Sequence, residues 1–227
     1  MSISSALTAI KKDLPAKCRL IAVSKTQPAE KIMEAYNAGH RIFGENKVQE
    51  LTPKYEALPK DIEWHMIGHL QSNKVKFIAP FVSLIHSIDS LKLLEEVNKQ
   101  GSKLQRLIQC LLQVHIAEEE TKFGFSEEEI FQFISSPQLQ QWQHIKITGL
   151  MGMATFTENT TQVRNEFKKL KALFEKLRSA SSHPAFQMTE LSMGMSGDYK
   201  IAIEEGSTMI RVGTAIFGER NYPPGSH

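Results

Sequence analysis

Lys25 ends the apolar run Arg19-Leu20-Ile21-Ala22-Val23-Ser24 and is followed by Thr26-Gln27-Pro28. A lysine at the C-terminal end of a buried strand costs free energy unless it has a partner or a covalent task. Burial lowers an amine pKa, and a neutral amine condenses with an aldehyde to a Schiff base. A phosphorylated aldehyde also needs an anion cradle, and the last third of the chain offers one. There, Ser192-Met193-Gly194-Met195-Ser196-Gly197-Asp198 and Gly213-Thr214-Ala215-Ile216-Phe217-Gly218 supply small residues that let backbone N–H groups approach an anion. Ser192 or Ser196 adds a hydroxyl donor. Taken alone, Gly194 and Gly213 would serve tight turns equally well. An aldehyde and a phosphate held by a lysine together describe pyridoxal phosphate.

Other residues are weighed against plainer roles. Arg211, inside Met209-Ile210-Arg211-Val212, is a charge in a strand and must pair or face a ligand. The plain reading pairs it with Glu190 or Glu45; its place beside the anion cradle favours a ligand. Asn46 reads equally as an N-cap, with Gln49 at the reciprocal position. Lys122, between Glu118-Glu119-Glu120 and the aromatics Phe123 and Phe125, reads as a solvated loop lysine. His65 and His69 have ligand spacing only on a helix, and this stretch reads as strand then loop, so no metal is expected. His86 and His115 read as packed or hydrogen-bonded. Met151, Met153, Met193 and Met195 fill core or line a pocket wall.

The elements that must position these groups alternate between short apolar runs and amphipathic stretches. Strands are predicted at 19–24, 40–43, 62–67, 82–86, 106–116, 145–151, 187–191 and 208–212, each rich in Ile, Val, Leu, Met or Phe. Helices are predicted at 28–38, from about 46 to 58, after the capping box Ser126–Glu129, at 161–178 and at 199–205. In 161–178, Val163, Phe167, Leu170, Phe174 and Leu177 form one stripe. About eight β-α units in an α/β chain predict a closed (β/α)8 TIM barrel, preceded by an extra N-terminal helix near 2–12. An open doubly wound sheet is the alternative, but no glycine fingerprint follows the first strand.

With 227 residues and 41% hydrophobic content, the chain reads as a single domain over 1–227 with an irregular tail at about 221–227. Its 27 basic and 25 acidic residues are dispersed, which argues against a nucleic-acid partner and for a small molecule. Cys18 and Cys110 suggest neither a disulfide framework nor a metal cluster, which fits a cytoplasmic protein. No stretch reads as a signal peptide or membrane span.

The blocks Ile21–Thr26, Phe43-Gly44-Glu45-Asn46, Trp64–Lys74, Gly149–Ala154, Leu191–Ser196 and Arg211–Gly218 occur in order over nearly the whole chain. Together they resemble the pyridoxal phosphate homeostasis proteins. The resemblance implies a fold-type III barrel like the N-terminal domain of alanine racemase. It implies that Lys25 carries the Schiff base and that Ser192, Gly213 and Thr214 hold the phosphate. Arg211 would face the pyridine nitrogen and Asn46 would lie near the ring. Lys122 matches a family lysine suggested to receive or relay the cofactor. The implied role is intracellular pyridoxal 5'-phosphate (vitamin B6) homeostasis, by binding and buffering the cofactor or delivering it to PLP-dependent apoenzymes.

An arginine beside the pyridine nitrogen keeps that nitrogen unprotonated and weakens the ring as an electron sink. Racemisation also needs a second acid/base group, which racemases of this fold take from an additional domain across a dimer. The sequence is too short to hold that domain, so the expectation is a monomeric carrier without robust catalytic turnover. An amino-acid racemase or related fold-type III enzyme is the alternative. A barrel that binds another phosphorylated metabolite is the third reading.

Overall fold

A computed structural model describes residues 2–117, 123–180 and 183–219. Lys122 and the tail 221–227 lie outside these described residues. The chain opens with helix α1 (Ile3–Lys12), then β1 (Arg19–Val23), α2 (Ala29–Asn37), β2 (Ile42–Glu45), α3 (Val48–Ala57) and β3 (Glu63–Met66). A 3-10 turn at Ser72–Lys74 leads into α4 (Val75–Ile78), β4 (Leu84–Ile88), α5 (Leu91–Leu104) and β5 (Ile108–Gln113). After these come α6 (Glu127–Ile134), α7 (Pro137–Gln141), β6 (Ile145–Met151), α8 (Thr160–Ala180) and β7 (Phe186–Ser192). The last elements are α9 (Tyr199–Glu204), β8 (Met209–Val212) and α10 (Thr214–Phe217).

The eight strands close in sequence order into a parallel barrel, with β1 paired to both β2 and β8. The (β/α)8 expectation and the extra N-terminal helix therefore hold. Closure explains why the strands carry apolar residues on both faces. One face packs inward, where Ile21, Leu84, Leu111, Met151 and Met209 fill the interior. The other packs outward against the helices, where Phe43, Trp64, Ile147 and Phe167 are fully buried. Each such side chain contributes about 1.5–3 kcal/mol by leaving water. The α8 stripe is buried as its spacing predicts, and Ser126 and Glu129 form both bonds of the capping box. Cys18 and Cys110 are buried free thiols.

The helix after β2 starts later than Asn46 suggests. Its N-cap position is Lys47, without a side-chain cap bond, and the Asn46 side chain turns elsewhere. The capping reading of Asn46 is thus corrected, with a consequence at the mouth of the barrel.

Candidate functional site

A cleft of about 360 Å³ opens where the strands end. It gathers Lys25 from the end of β1, Asn46 from the end of β2, Arg211 from β8, and Gly213 and Thr214 from the start of α10. Residues nearly two hundred positions apart meet there because β8 closes the barrel onto β1: Ile21 pairs with Arg211 and Ala22 with Val212. Ser196, Gly197 and Asp198 of the β7–α9 loop complete one wall, and Met153 and Met195 add apolar surface. Met151 and Met193, by contrast, are core residues.

Ser192 is not part of this lining. As an inward residue of β7 it is fully buried beneath the cleft, and its hydroxyl is engaged between Arg211 Nη1 at 2.6 Å and His86 Nδ1 at 2.9 Å. The hydroxyl that does reach the cleft belongs to Ser196, whose Oγ accepts from the Gly213 amide at 3.3 Å. Of the two hydroxyls that the sequence offers, Ser196 lines the cleft, and Ser192 lies buried beneath it, bonded to Arg211 and His86. The loop carrying Ser196 is pinned by Asp198 Oδ1, which accepts from the Met195 amide at 2.5 Å. Burial raises the Asp198 pKa, while its bond from Met195 and the charge of Arg211 oppose that rise. A Cβ on Gly213 would stand 3.1 Å from the Val23 carbonyl oxygen, so a side chain there would crowd the cradle.

Arg211 pairs with neither Glu190 nor Glu45. Glu190 takes Arg19 and Glu45 takes Lys54. The acceptors of Arg211 are neutral: Ser192 Oγ, and the Gly152 carbonyl at 3.0 Å. Burial pushes its pKa down to about 10, with Asp198 acting the other way, so it remains a cation at neutral pH. Below it runs a buried polar column, in which His86 Nε2 lies 2.9 Å from His65 Nδ1. One arrangement accounts for all three contacts: Arg211 donates to Ser192, Ser192 to His86 Nδ1, and His86 Nε2–H to His65 Nδ1. Burial fits this assignment, since it drives the His65 pKa down to about 3 and that of His86 well below the ordinary value.

Asn46 Oδ1 is buried without a hydrogen-bond partner. An unsatisfied buried amide oxygen costs about 1–3 kcal/mol, and at a cleft wall it is an acceptor or, flipped, a donor for a ligand. Gly68 makes its placement possible: a Cβ there would lie 2.4 Å from the Asn46 carbonyl oxygen.

The strand end bearing Lys25 is held from outside the barrel. Ser24 to Gln27 form a turn closed by Gln27 N–H to Ser24 O at 3.0 Å. Thr26, its third residue, has φ +63°. That position ordinarily takes glycine or asparagine, and a β-branched residue there stores strain of order 1–3 kcal/mol. The Thr26 amide donates to Glu50 Oε2 at 2.7 Å, and Ser24 Oγ donates to Glu45 Oε1 at 2.6 Å. Lys54 joins the two carboxylates, with Nζ 2.7 Å from Glu45 Oε1, 3.5 Å from Glu50 Oε2 and 2.8 Å from Ser24 O. Burial raises the Glu45 pKa and the Lys54 cation opposes it. Sequence reasoning missed this cluster; the i,i+4 spacing of Glu50 and Lys54 on α3 was its one visible trace.

His65 and His69 diverge: His65 joins the interior column, while His69 Nδ1 meets Asp89 Oδ2 at 2.9 Å on the exposed rim.

Comparison with known proteins accords with this geometry. The family model "Alanine racemase, N-terminal domain" matches residues 2–221. A pyridoxal phosphate homeostasis protein of Aquifex aeolicus is 42% identical over 208 residues, covering 90% of this chain and 88% of that protein. The human protein of the same name is 40% identical over 222 residues, covering 93% and 80%. Among solved structures, PipY of Synechococcus elongatus with PLP bound is 38% identical with a TM-score of 0.86, covering 96% of this chain and all of that one. Alanine racemase from Bartonella henselae, at 16% identity and a TM-score of 0.71, shares the fold, and this chain covers 58% of it. With this extent and identity of match, the chain belongs to the family of pyridoxal phosphate homeostasis proteins.

Proposed function

We propose that this protein binds pyridoxal 5'-phosphate at the mouth of the barrel and serves in the intracellular homeostasis of that cofactor. The observation that carries the reading is one cleft holding a lysine, a buried cation with neutral acceptors, and a wall of small residues, Ser196, Gly197, Gly213 and Thr214. The donor set fits the group. Asn46 offers an unsatisfied polar atom, and a Cβ built on Gly197 would meet nothing within 4 Å, which leaves room beside Ser196 and Gly213.

In this reading Lys25 Nζ holds the aldehyde carbon. Ser196 Oγ and the amides of Gly213 and Thr214 hold the phosphate, the Gly213 amide exchanging its long bond to Ser196 Oγ for one to the ligand; Arg211 faces the ring nitrogen, and Asn46 faces the polar edge of the ring. Pyridoxal phosphate supplies a reactive aldehyde on an electron-withdrawing ring. Arg211 keeps its proton, so it presents a hydrogen-bond donor to the ring and does not transfer a proton to it. The ring is then a weak electron sink, which suits holding over turnover.

The whole chain acts as one monomeric cytoplasmic domain without robust catalysis, and PLP-dependent apoenzymes are its candidate recipients. Among the described residues no helix is long and apolar enough to cross a membrane. Lys122 is assigned a part in receiving or relaying the cofactor, and Lys122→Ala should slow transfer to an apoenzyme while leaving binding intact.

The test is incubation with pyridoxal phosphate, borohydride reduction and mass mapping. The expected product is a single adduct on Lys25 that Lys25→Ala abolishes, leaving weaker noncovalent binding. An adduct elsewhere, or none, defeats the reading. Rapid exchange of amino-acid α-protons that depends on Lys25 would instead favour a racemase-like enzyme.

A further inference from the structure

The residues either side of Lys25 are fixed, and fixed by charged groups the cleft does not use. Ser24 is tied through its hydroxyl to Glu45 and through its carbonyl to Lys54; Thr26 is tied through its amide to Glu50. Glu45 is fully buried and the Lys54 side chain 12% exposed, so this pair is interior, and it anchors the more exposed Thr26–Glu50 bond through Lys54. A buried ion pair is weak evidence for stability, because desolvation offsets much of its attraction. What it does well is impose one geometry. Here that geometry includes Thr26 in the left-handed region, where threonine does not settle unaided. Opening the turn would let Thr26 relax and would re-aim the Lys25 side chain on the adjacent residue.

We propose that Glu50 and Lys54, with Glu45, are positioning residues that clamp the Ser24–Gln27 turn and so aim the Lys25 amine at the aldehyde of the bound cofactor. The proposal rests on the role of Lys25 given above. The step it governs is condensation: the neutral Lys25 amine adds to the aldehyde carbon, a C=N bond forms, and one water leaves carrying the aldehyde oxygen. The clamp does not touch the ligand, so it acts on this step and not on recognition of the phosphate or ring.

Two ligands separate these effects. Pyridoxal 5'-phosphate reports binding plus condensation, whereas pyridoxine 5'-phosphate, with an alcohol in place of the aldehyde, reports binding alone. In the full-length apo protein, Glu50→Ala should slow borohydride-trappable capture of pyridoxal phosphate on Lys25 on the order of tenfold, as expected when a strained orientation is released. Its affinity for pyridoxine 5'-phosphate should stay within about twofold, since no ligand contact is lost. Glu50→Gln keeps an acceptor for the Thr26 amide and should retain fast capture. Adding Thr26→Asn to Glu50→Ala should recover most of the rate, because asparagine tolerates the left-handed backbone.

Unchanged capture in Glu50→Ala would overturn the proposal. So would an equal fall for both ligands, including through loss of the fold, since the cluster would then be general scaffolding. If the unsubstituted chain forms no adduct on Lys25, the proposed function itself fails and this inference with it. Normal capture by the unsubstituted chain and by Glu50→Ala alike removes the inference alone.

Discussion

Two arginines face the barrel interior from adjacent strands, and the fold treats them differently. Arg19 of β1 lies at the base, with its side chain 43% exposed and a salt bridge to Glu190 at 2.8 Å. Arg211 of β8 stands at the mouth, 4% exposed, with only a hydroxyl and a carbonyl as acceptors. Among the described residues no carboxylate forms an ion pair with it. An exposed pair such as Arg19–Glu190 is worth about 0–1 kcal/mol and closes a charge. A buried guanidinium left unneutralised is costly. Two registers of the same barrel therefore separate a charge closed by a salt bridge from one buried at the mouth with neutral acceptors.

The largest effect expected from this contrast is acid sensitivity. His65 and His86 stand between the arginines and are neutral in the folded state, chiefly through burial; Arg19 adds to the effect on His65, and His65 and Arg211 add to that on His86. Unfolding frees both to bind protons below about pH 6.5. Because the unfolded state takes up more protons, stability falls as pH drops from about 6.5 toward about 3, by about 1.4 kcal/mol per pH unit for each histidine. Urea midpoints measured between about pH 7 and pH 5 should show this slope, and the His65→Leu/His86→Leu double variant should flatten it. An equally steep slope in that variant would place the acid-sensitive groups elsewhere.

Next in size, Arg211→Met should weaken pyridoxal phosphate binding on the order of a hundredfold, near the upper range for a charge-assisted hydrogen bond. Equilibrium titration of the apo protein measures it, and retained affinity would remove the distinction between the two arginines. Gly213→Val should cost roughly tenfold in affinity by crowding the cradle, about 1.4 kcal/mol, with little change in melting temperature. Smallest of all, Arg19→Met should lower stability by less than about 1 kcal/mol and leave cofactor affinity unmoved. A loss of affinity there would mean that base and mouth are coupled.

Much of the barrel was legible in the chain. Strands buried on both faces write continuous apolar runs, and the predicted spans overlap every observed strand. Lys25 and Arg211 stood out because charge within or beside such runs demands a reason. Asn46 was ambiguous because asparagine suits an N-cap and a ligand contact equally, and only the start of α3 at Val48 separates them. Ser192 and Ser196 sit in one glycine-rich segment. Which hydroxyl reaches the cleft depends on how the loop turns after β7, a tertiary matter that spacing does not encode. The clamp on the Lys25 turn was hidden for a similar reason, since its bonds run between α3, β2 and the end of β1.

The two cysteines, unremarkable as core residues, bear on how a protein can live with an aldehyde. Thiolates attack aldehydes readily, and under the proposed function an accessible one would compete with Lys25 for pyridoxal phosphate. Burial pushes the Cys18 thiol up to about 11, and Cys110, sealed within β5, is driven higher still. At physiological pH both remain protonated and shielded. Under the proposed function the fold would thereby give chemical selectivity: the aldehyde would find the Lys25 amine at the cleft, while both thiols stay silent.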